Sequence, residues 1–435
     1  MARPRRETYD LHRLLREGKI SPVCRVVLAL IVSSFVLACG PNVSGATSVR
    51  VASARIDPDV GLEPRLRHEP AIASLLDDAE HLRLEVLIAA PVAGSSGAEL
   101  QRLSYRADAE YFYPASAIKL CAAVAALEKL GALRRDAPTS ELDAATPLRI
   151  QNAMGSFDVL DPTDSETGRI SIGQEIRKAL VLSDNEAFNR LFDFVGHDEL
   201  NTRLLDDGFT SARLRHHLGA FGHDARRSPH VELVPAHGEP IVLPERFGTL
   251  VLGGNDVPRV LVGVAHLDGY GRRVEAPMTF EDKNRISLRD LQDLLIAVVR
   301  PELVPGKAVR LDPDDRALLV DALETVPSES KNPRVIGGAG LDPLHKPLLL
   351  AIRAASPGHR IRAFGKGGRS YGFIVQNSYV VDETTGRSVF VAATLYTNAN
   401  GTMNDDQYEY DEVAMPFVQG LGDFVTHQFL AADAD

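Results

Sequence analysis

Tyr111-Phe112-Tyr113-Pro114-Ala115-Ser116-Ala117-Ile118-Lys119-Leu120 carries a serine from the end of an extended run onto the start of an apolar helix. Pro114 fixes the backbone ahead of the turn, and residues 117–130 read as a helix with few polar side chains, closed by Gly131. Ser116 then sits at a helix N-terminus, where unpaired N–H groups and the helix dipole favour a nucleophilic oxygen and the oxyanion it creates. Lys119 follows one turn behind on the same face. Apolar surroundings lower the cost of a neutral amine, so a Lys119 with a depressed pKa would serve as base towards Ser116. The same spacing recurs in Ser328-Glu329-Ser330-Lys331, but Pro327 and Asn332-Pro333 flank it and no helix can set that lysine behind that serine.

The chain has 435 residues, 44% hydrophobic and 25% charged, enough to bury a large core. Its net charge of -11 understates the acidity of the chain beyond residue 25, because the first 25 residues carry a surplus of Arg and Lys. An acidic body excludes nucleic acid as a partner. Residues 26–38 form an uncharged apolar run too short to span a bilayer and of the size of a secretory signal core. It ends in Val36-Leu37-Ala38-Cys39-Gly40, which resembles the lipobox of bacterial lipoproteins. Residues 1–38 are expected to be a lipoprotein-type signal peptide, with Cys39 the lipidation site and 39–66 a tether. The protein is then exported to the cell envelope and anchored to its membrane. Cleavage of an ordinary signal nearby and an uncleaved anchor are the open alternatives. Cys24 leaves with the leader and Cys39 carries lipid, so Cys121 has no disulfide partner and packs in its helix.

Along the chain, residues 69–79 read as a first helix. Residues 81–92 and 100–109 read as two strands about a turn at Gly94-Ser95-Ser96-Gly97. Residues 134–164 show little periodicity. Helices are expected over 173–182, 186–195 and 201–205, and Ser183-Asp184-Asn185 stands at the junction of the first two. That tripeptide suits helix capping, and in a cleft it also offers a hydroxyl to relay a proton and an amide to hold a substrate. Residues 216–275 carry His216, His217, His223, His230 and His237 among prolines. No histidine pair has a zinc-helix spacing backed by a carboxylate, so neither metal nor cofactor is expected. Helices follow over 287–299 and 314–323. Strands are expected over 360–365, 371–381 and 387–397, with Lys366-Gly367-Gly368-Arg369 after the first, and a helix over 405–430. The order predicts an α+β fold: one antiparallel sheet built from both chain ends, with the middle as a helical lobe. The domain is drawn over 67–430, an α/β lobe of 67–111 and 276–430 and a helical lobe of 112–275 whose loop 216–275 is enlarged.

Ser116-x-x-Lys119, Ser183-Asp184-Asn185 and Lys366-Gly367-Gly368 stand in the order known from class A β-lactamases and penicillin-binding proteins. Over about 67–430 the chain resembles that serine acyl-transferase superfamily, and most of all its class A β-lactamase branch. The resemblance implies a β-lactamase/transpeptidase-like fold in a protein expected to be a monomer. It implies Ser116 as the acylated nucleophile, Lys119 as its proton-transfer partner and Ser183 as a shuttle to the leaving nitrogen. Asn185 would hold the substrate amide, and Lys366 would supply positive charge. The N–H groups of Ser116 and Arg369 would form the oxyanion hole.

Two departures stand out. Gly367 replaces a residue that usually bears a hydroxyl for the substrate carboxylate, a task that Arg369, on the same strand face, is placed to take. Leu218 falls where class A enzymes have the glutamate that activates water, and of the nearby acids Glu232, Glu239 and Glu245 none is fixed by the sequence. Three functions are compatible with these residues. The first is a serine hydrolase that opens a β-lactam through a Ser116 acyl-enzyme. The second is a D-alanyl-D-alanine carboxypeptidase, related peptidase or esterase with slow deacylation. The third is a non-catalytic module that binds cell-wall peptides.

Overall fold

The computed structural model describes residues 61–91, 100–161, 163, 165–220 and 224–431. All belong to one compact unit. The leader, Cys39, the tether up to residue 60 and the turn at 94–97 lie outside the described residues. The tether ends earlier than expected, because Leu62–Leu66 is a helical turn whose Leu62 and Leu66 are fully buried.

Six strands form the main sheet: β1 (Glu85–Pro91), β2 (Leu100–Tyr105), β3 (Ile361–Gly365), β4 (Gly368–Ser370), β5 (Phe373–Asp382) and β6 (Arg387–Tyr396). Their order is β3-β5-β6-β1-β2, antiparallel throughout, with the short β4 pairing to β5. The first hairpin and the last three long strands therefore meet as expected, with Glu85 opposite Thr394 at the seam. Alternate residues face opposite cores. Leu87, Ala89, Phe390 and Ala392 pack on one side, and Val86, Ile88, Val389 and Val391 on the other. Both faces are covered, which explains why β6 reads as an almost unbroken apolar run.

The longer helices are α1 (Pro70–Leu76), α2 (Lys119–Asp136), α3 (Ile172–Val181), α4 (Asn185–Val195), α5 (His197–Asp206), α6 (Leu288–Val299), α7 (Pro313–Glu324), α8 (Pro347–Ala355) and α9 (Met415–Val425). The outer sheet face is covered by α1, α8 and α9, and the inner face by the core that holds α2 to α7. Every residue of α2 from Lys119 to Gly131 is buried. A helix surrounded on all sides has no polar face to display. Gly131 does not close it. α2 runs on to Asp136 and stops where Pro138 restricts Ala137. α8 was not expected, and α5 is longer than 201–205. The final helix is regular only over α9, with π-turns at Tyr410–Ala414 and Thr426–Leu430.

The lobe read as helical also carries sheet. Leu148–Gln151 pairs with Val231–Leu233 from the enlarged loop, and Phe157–Asp158 and Ile241–Leu243 extend them to four strands. The loop is closed at its neck. Arg213 and Arg285 exchange backbone hydrogen bonds of 2.8 and 2.9 Å. The buried Asn284 accepts from the N–H groups of Arg215 and His216 at 2.7 and 3.1 Å and donates to the His216 carbonyl at 3.0 Å.

Candidate active site

Ser116 lies in a 3-10 turn, Ala115–Ile118, that leads into α2, so the α-helix itself starts at Lys119. Ala115 adopts φ 46°, a left-handed value rare for a residue with a side chain. The kink leaves Ser116 as the one half-exposed residue in a buried run from Tyr111 to Gly131. The Ala117 N–H donates to the Pro114 carbonyl at 3.0 Å, while among the described residues nothing accepts from the Ser116 N–H. Gly368 of β4 lies against this turn so closely that a Cβ there would strike the Ser116 backbone nitrogen. Arg369, the next residue, is exposed and lines the same cleft.

Behind Ser116, three segments meet at the hydroxyl of Ser183. Lys119 Nζ bonds to the Ser183 carbonyl, to Ser183 Oγ at 3.2 Å and to Asn185 Oδ1 at 2.8 Å. Lys366 Nζ bonds to Ser183 Oγ at 3.0 Å and to the Gly367 carbonyl at 2.8 Å. Ser183 itself has φ 56°, which turns its hydroxyl between the two lysines. Asp184 is the N-cap of α4, accepting from the Ala187 N–H at 2.9 Å, so the capping reading of this tripeptide holds for Asp184. Lys119 was expected to address Ser116 directly, yet its three bonds all go to Ser183 and Asn185.

Burial pushes the Lys119 pKa down to about 7, against an opposing pull from Asp184. Two of its partners, a carbonyl and an amide oxygen, can only accept. A neutral amine satisfies both with its two N–H groups and turns its lone pair to the hydroxyl. Burial, then the charges of Lys119 and Lys346, hold Lys366 well below the usual lysine range. Lys346 was not singled out in the sequence. It is buried, and burial takes it down to about 7. Its Nζ bonds to the Leu323 carbonyl, at the end of α7, and to the Gly365 carbonyl at 3.0 Å, one residue before Lys366.

The cleft in front of Ser116 holds about 580 Å³. Ser116, Asn185, Arg369 and Leu218 line it together with Tyr113, Tyr371, His216 and Lys283. Tyr113 stands edge-on to Tyr371, with centroids 5.1 Å apart, and stacks on His216 at 6.4 Å. His216 Nδ1 donates to the His217 carbonyl at 2.7 Å, and Nε2 accepts from the Asn284 N–H at 3.2 Å. These bonds fix one neutral tautomer, and burial lowers the His216 pKa to about 4. The Leu218 backbone is held by Asn189 at 2.8 and 3.1 Å. Glu232 pairs with Arg149 at 3.1 Å, Glu245 pairs with Arg227 at 2.9 Å, and neither they nor Glu239 line the cleft. A larger cavity of about 740 Å³ lies beside Arg134, Arg177 and Asn332 and includes none of the expected site residues. Among the described residues, no three His, Cys, Asp or Glu side chains converge as metal ligands would.

A sequence model of a family described as the beta-lactamase enzyme family matches residues 92–324, just over half of the chain. The match takes in Ser116, Lys119 and Ser183-Asp184-Asn185 and ends before Lys366. No curated protein matches. Among solved structures, the chain is similar to a beta lactamase from Burkholderia vietnamiensis, at 16% identity and a TM-score of 0.46 over 82% of this chain and 97% of that one. It is similar to a beta-lactamase from Burkholderia ambifaria at 16% identity and 0.46, over 83% and 99%. For a beta lactamase from Xanthomonas campestris pv. campestris the values are 17% and 0.44, over 82% and 97%.

Proposed function

This chain belongs to the beta-lactamase enzyme family, and we propose that it is a class A-like serine hydrolase that opens a β-lactam amide through an acyl-enzyme on Ser116. The hydrogen-bonded chain Lys119–Ser183–Lys366 beside the open turn of Ser116 carries this reading. Ser116 Oγ attacks the lactam carbonyl while its proton passes to neutral Lys119, whose lone pair turns from the Ser183 hydroxyl to Ser116 for this step. The Ser116 and Arg369 N–H groups hold the oxyanion. On collapse the C–N bond breaks, and the nitrogen takes a proton from Ser183, which is replenished by Lys119. Asn185 holds the side-chain amide, and Lys366 and Arg369 the substrate carboxylate.

Deacylation is slow in this proposal, and the position of Leu218 favours that. An apolar side chain there cannot take a proton from water, and the carboxylates that line the cleft, Asp282 and Asp406, are exposed. The protein then behaves as a penicillin-binding peptidase towards many β-lactams. We also propose export and anchoring through lipid on Cys39, for which Cys39→Ala should release the protein from membranes into the soluble fraction.

Intact mass of the purified protein, followed after mixing with benzylpenicillin, tests the reaction. We expect an adduct of one penicillin that is absent in Ser116→Ala and persists for minutes. Loss of the adduct within seconds would establish fast hydrolysis and overturn the slow step. No adduct and no consumption of penicillin would overturn the acyl-enzyme.

A further inference from the structure

Two cations of the cleft have no carboxylate partner among the described residues. Arg369 lies over the ring of Tyr410 at 5.2 Å, and Lys283 over the ring of Tyr371 at 5.8 Å. They differ in surroundings. Arg369 is exposed and remains hydrated, whereas Lys283 is half-buried where the enlarged loop returns to its neck. Its pKa is lowered by burial, with no neighbouring charge to offset the loss of water. Asp282, the preceding residue, is exposed and forms no ion pair with it. A half-buried ammonium that faces the cleft beside an aromatic ring and has no carboxylate partner is a site prepared for an anion.

We propose that Lys283 binds a second carboxylate, on the acyl part of the substrate, and so selects β-lactams that carry one. The assignment rests on Ser116 as the acylated nucleophile. It takes its direction from the separation of the two cations. Arg369 follows Lys366 on the strand whose lysine bonds to Ser183 Oγ at 3.0 Å, whereas Lys283 precedes Asn284, which bonds to His216 at 3.0 and 3.2 Å. Arg369 therefore belongs with Lys366 and Ser183, on the side of the leaving nitrogen and the ring carboxylate. Lys283 belongs to the other wall, with His216, Tyr113 and Tyr371. A group held there stays on the part of the substrate that remains bound to Ser116. The aromatic rings around it exclude water and strengthen a single charge pair.

Benzylpenicillin and carbenicillin form a matched pair of probes, because carbenicillin adds one carboxylate to the same acyl group. Second-order acylation rates of the full chain, read by intact mass or stopped flow, give the ratio of carbenicillin to benzylpenicillin. We expect a ratio above one in the parent, a fall of roughly tenfold in Lys283→Met, the size of one charge-assisted hydrogen bond, and recovery in Lys283→Arg. A purely structural role would lower both rates and leave their ratio alone. Lys283→Gln makes the same test if Lys283→Met does not melt cooperatively. An equal ratio in parent and variants would overturn the proposal. Absence of acylation by both penicillins would overturn the Ser116 reading, and the proposal with it.

Discussion

Gly367 is the position where this chain lacks the hydroxyl usual in its family, and the backbone supplies the reason. A Cβ at Gly367 would lie 2.6 Å from the Val375 carbonyl oxygen, across the β4–β5 ladder. No rotamer relieves a clash with backbone, so a threonine cannot be restored without moving the strand. Gly367→Thr should therefore cost about 1–3 kcal/mol and slow acylation, and a variant as stable as the parent with faster acylation would refute this. Lys119 gives a second test at this scale. With its pKa near 7, acylation should climb about tenfold per unit from pH 5 to pH 7 and then level off. If the acidic limb is the same in Lys119→Ala, Lys119 is not the base.

At the scale of elements, the neck of the enlarged loop decides where His216 and Leu218 stand. Asn284 makes three side-chain bonds to backbone there and has no exposed surface. Asn284→Ala would leave two N–H groups and a carbonyl unpaired. It should cost about 1–3 kcal/mol and open the loop between 217 and 283 to limited proteolysis, with Asn284→Asp intermediate; equal cleavage of parent and variant would count against the clasp. The same loop divides the legible part of the sequence from the rest. Ser116, Lys119, Ser183 and Lys366 were readable because each sits in a short motif at the end of a periodic element. The main sheet was readable because β5 and β6 are ten residues long. The loop's strands are two or three residues each, and Val231–Leu233 finds its partner some eighty residues earlier, at Leu148–Gln151. No local period announces such a pairing. Lys346 and Lys283 were missed for a related reason, since a lone lysine reads as surface until the chain is folded around it.

Across the whole molecule, the buried lysines tie stability to pH. Lys119 and Lys346 titrate near 7 in the folded protein, and burial also holds Lys366 well below its ordinary range, against about 10.4 for an unfolded lysine. Between about pH 7 and 10 the unfolded chain thus binds more protons than the native one, and stability rises with pH across that window. Below about 7, Lys119 and Lys346 must be charged in place and the full penalty applies. Asp184 eases it for Lys119, and Glu324 for Lys346. Lys346 separates this effect from catalysis, because it lies behind β3 rather than in the cleft. Lys346→Met removes one titrating amine but strands the Leu323 and Gly365 carbonyls, a loss of about 1–3 kcal/mol that does not depend on pH. The melting temperature of the parent should therefore rise from pH 7 to pH 9.5, and that of Lys346→Met should start lower or level and rise less. Parallel curves for the two proteins would mean that Lys346 stays charged in the native state. The two carbonyls it reaches would then have to hold an ammonium in a site with no counter-charge in contact.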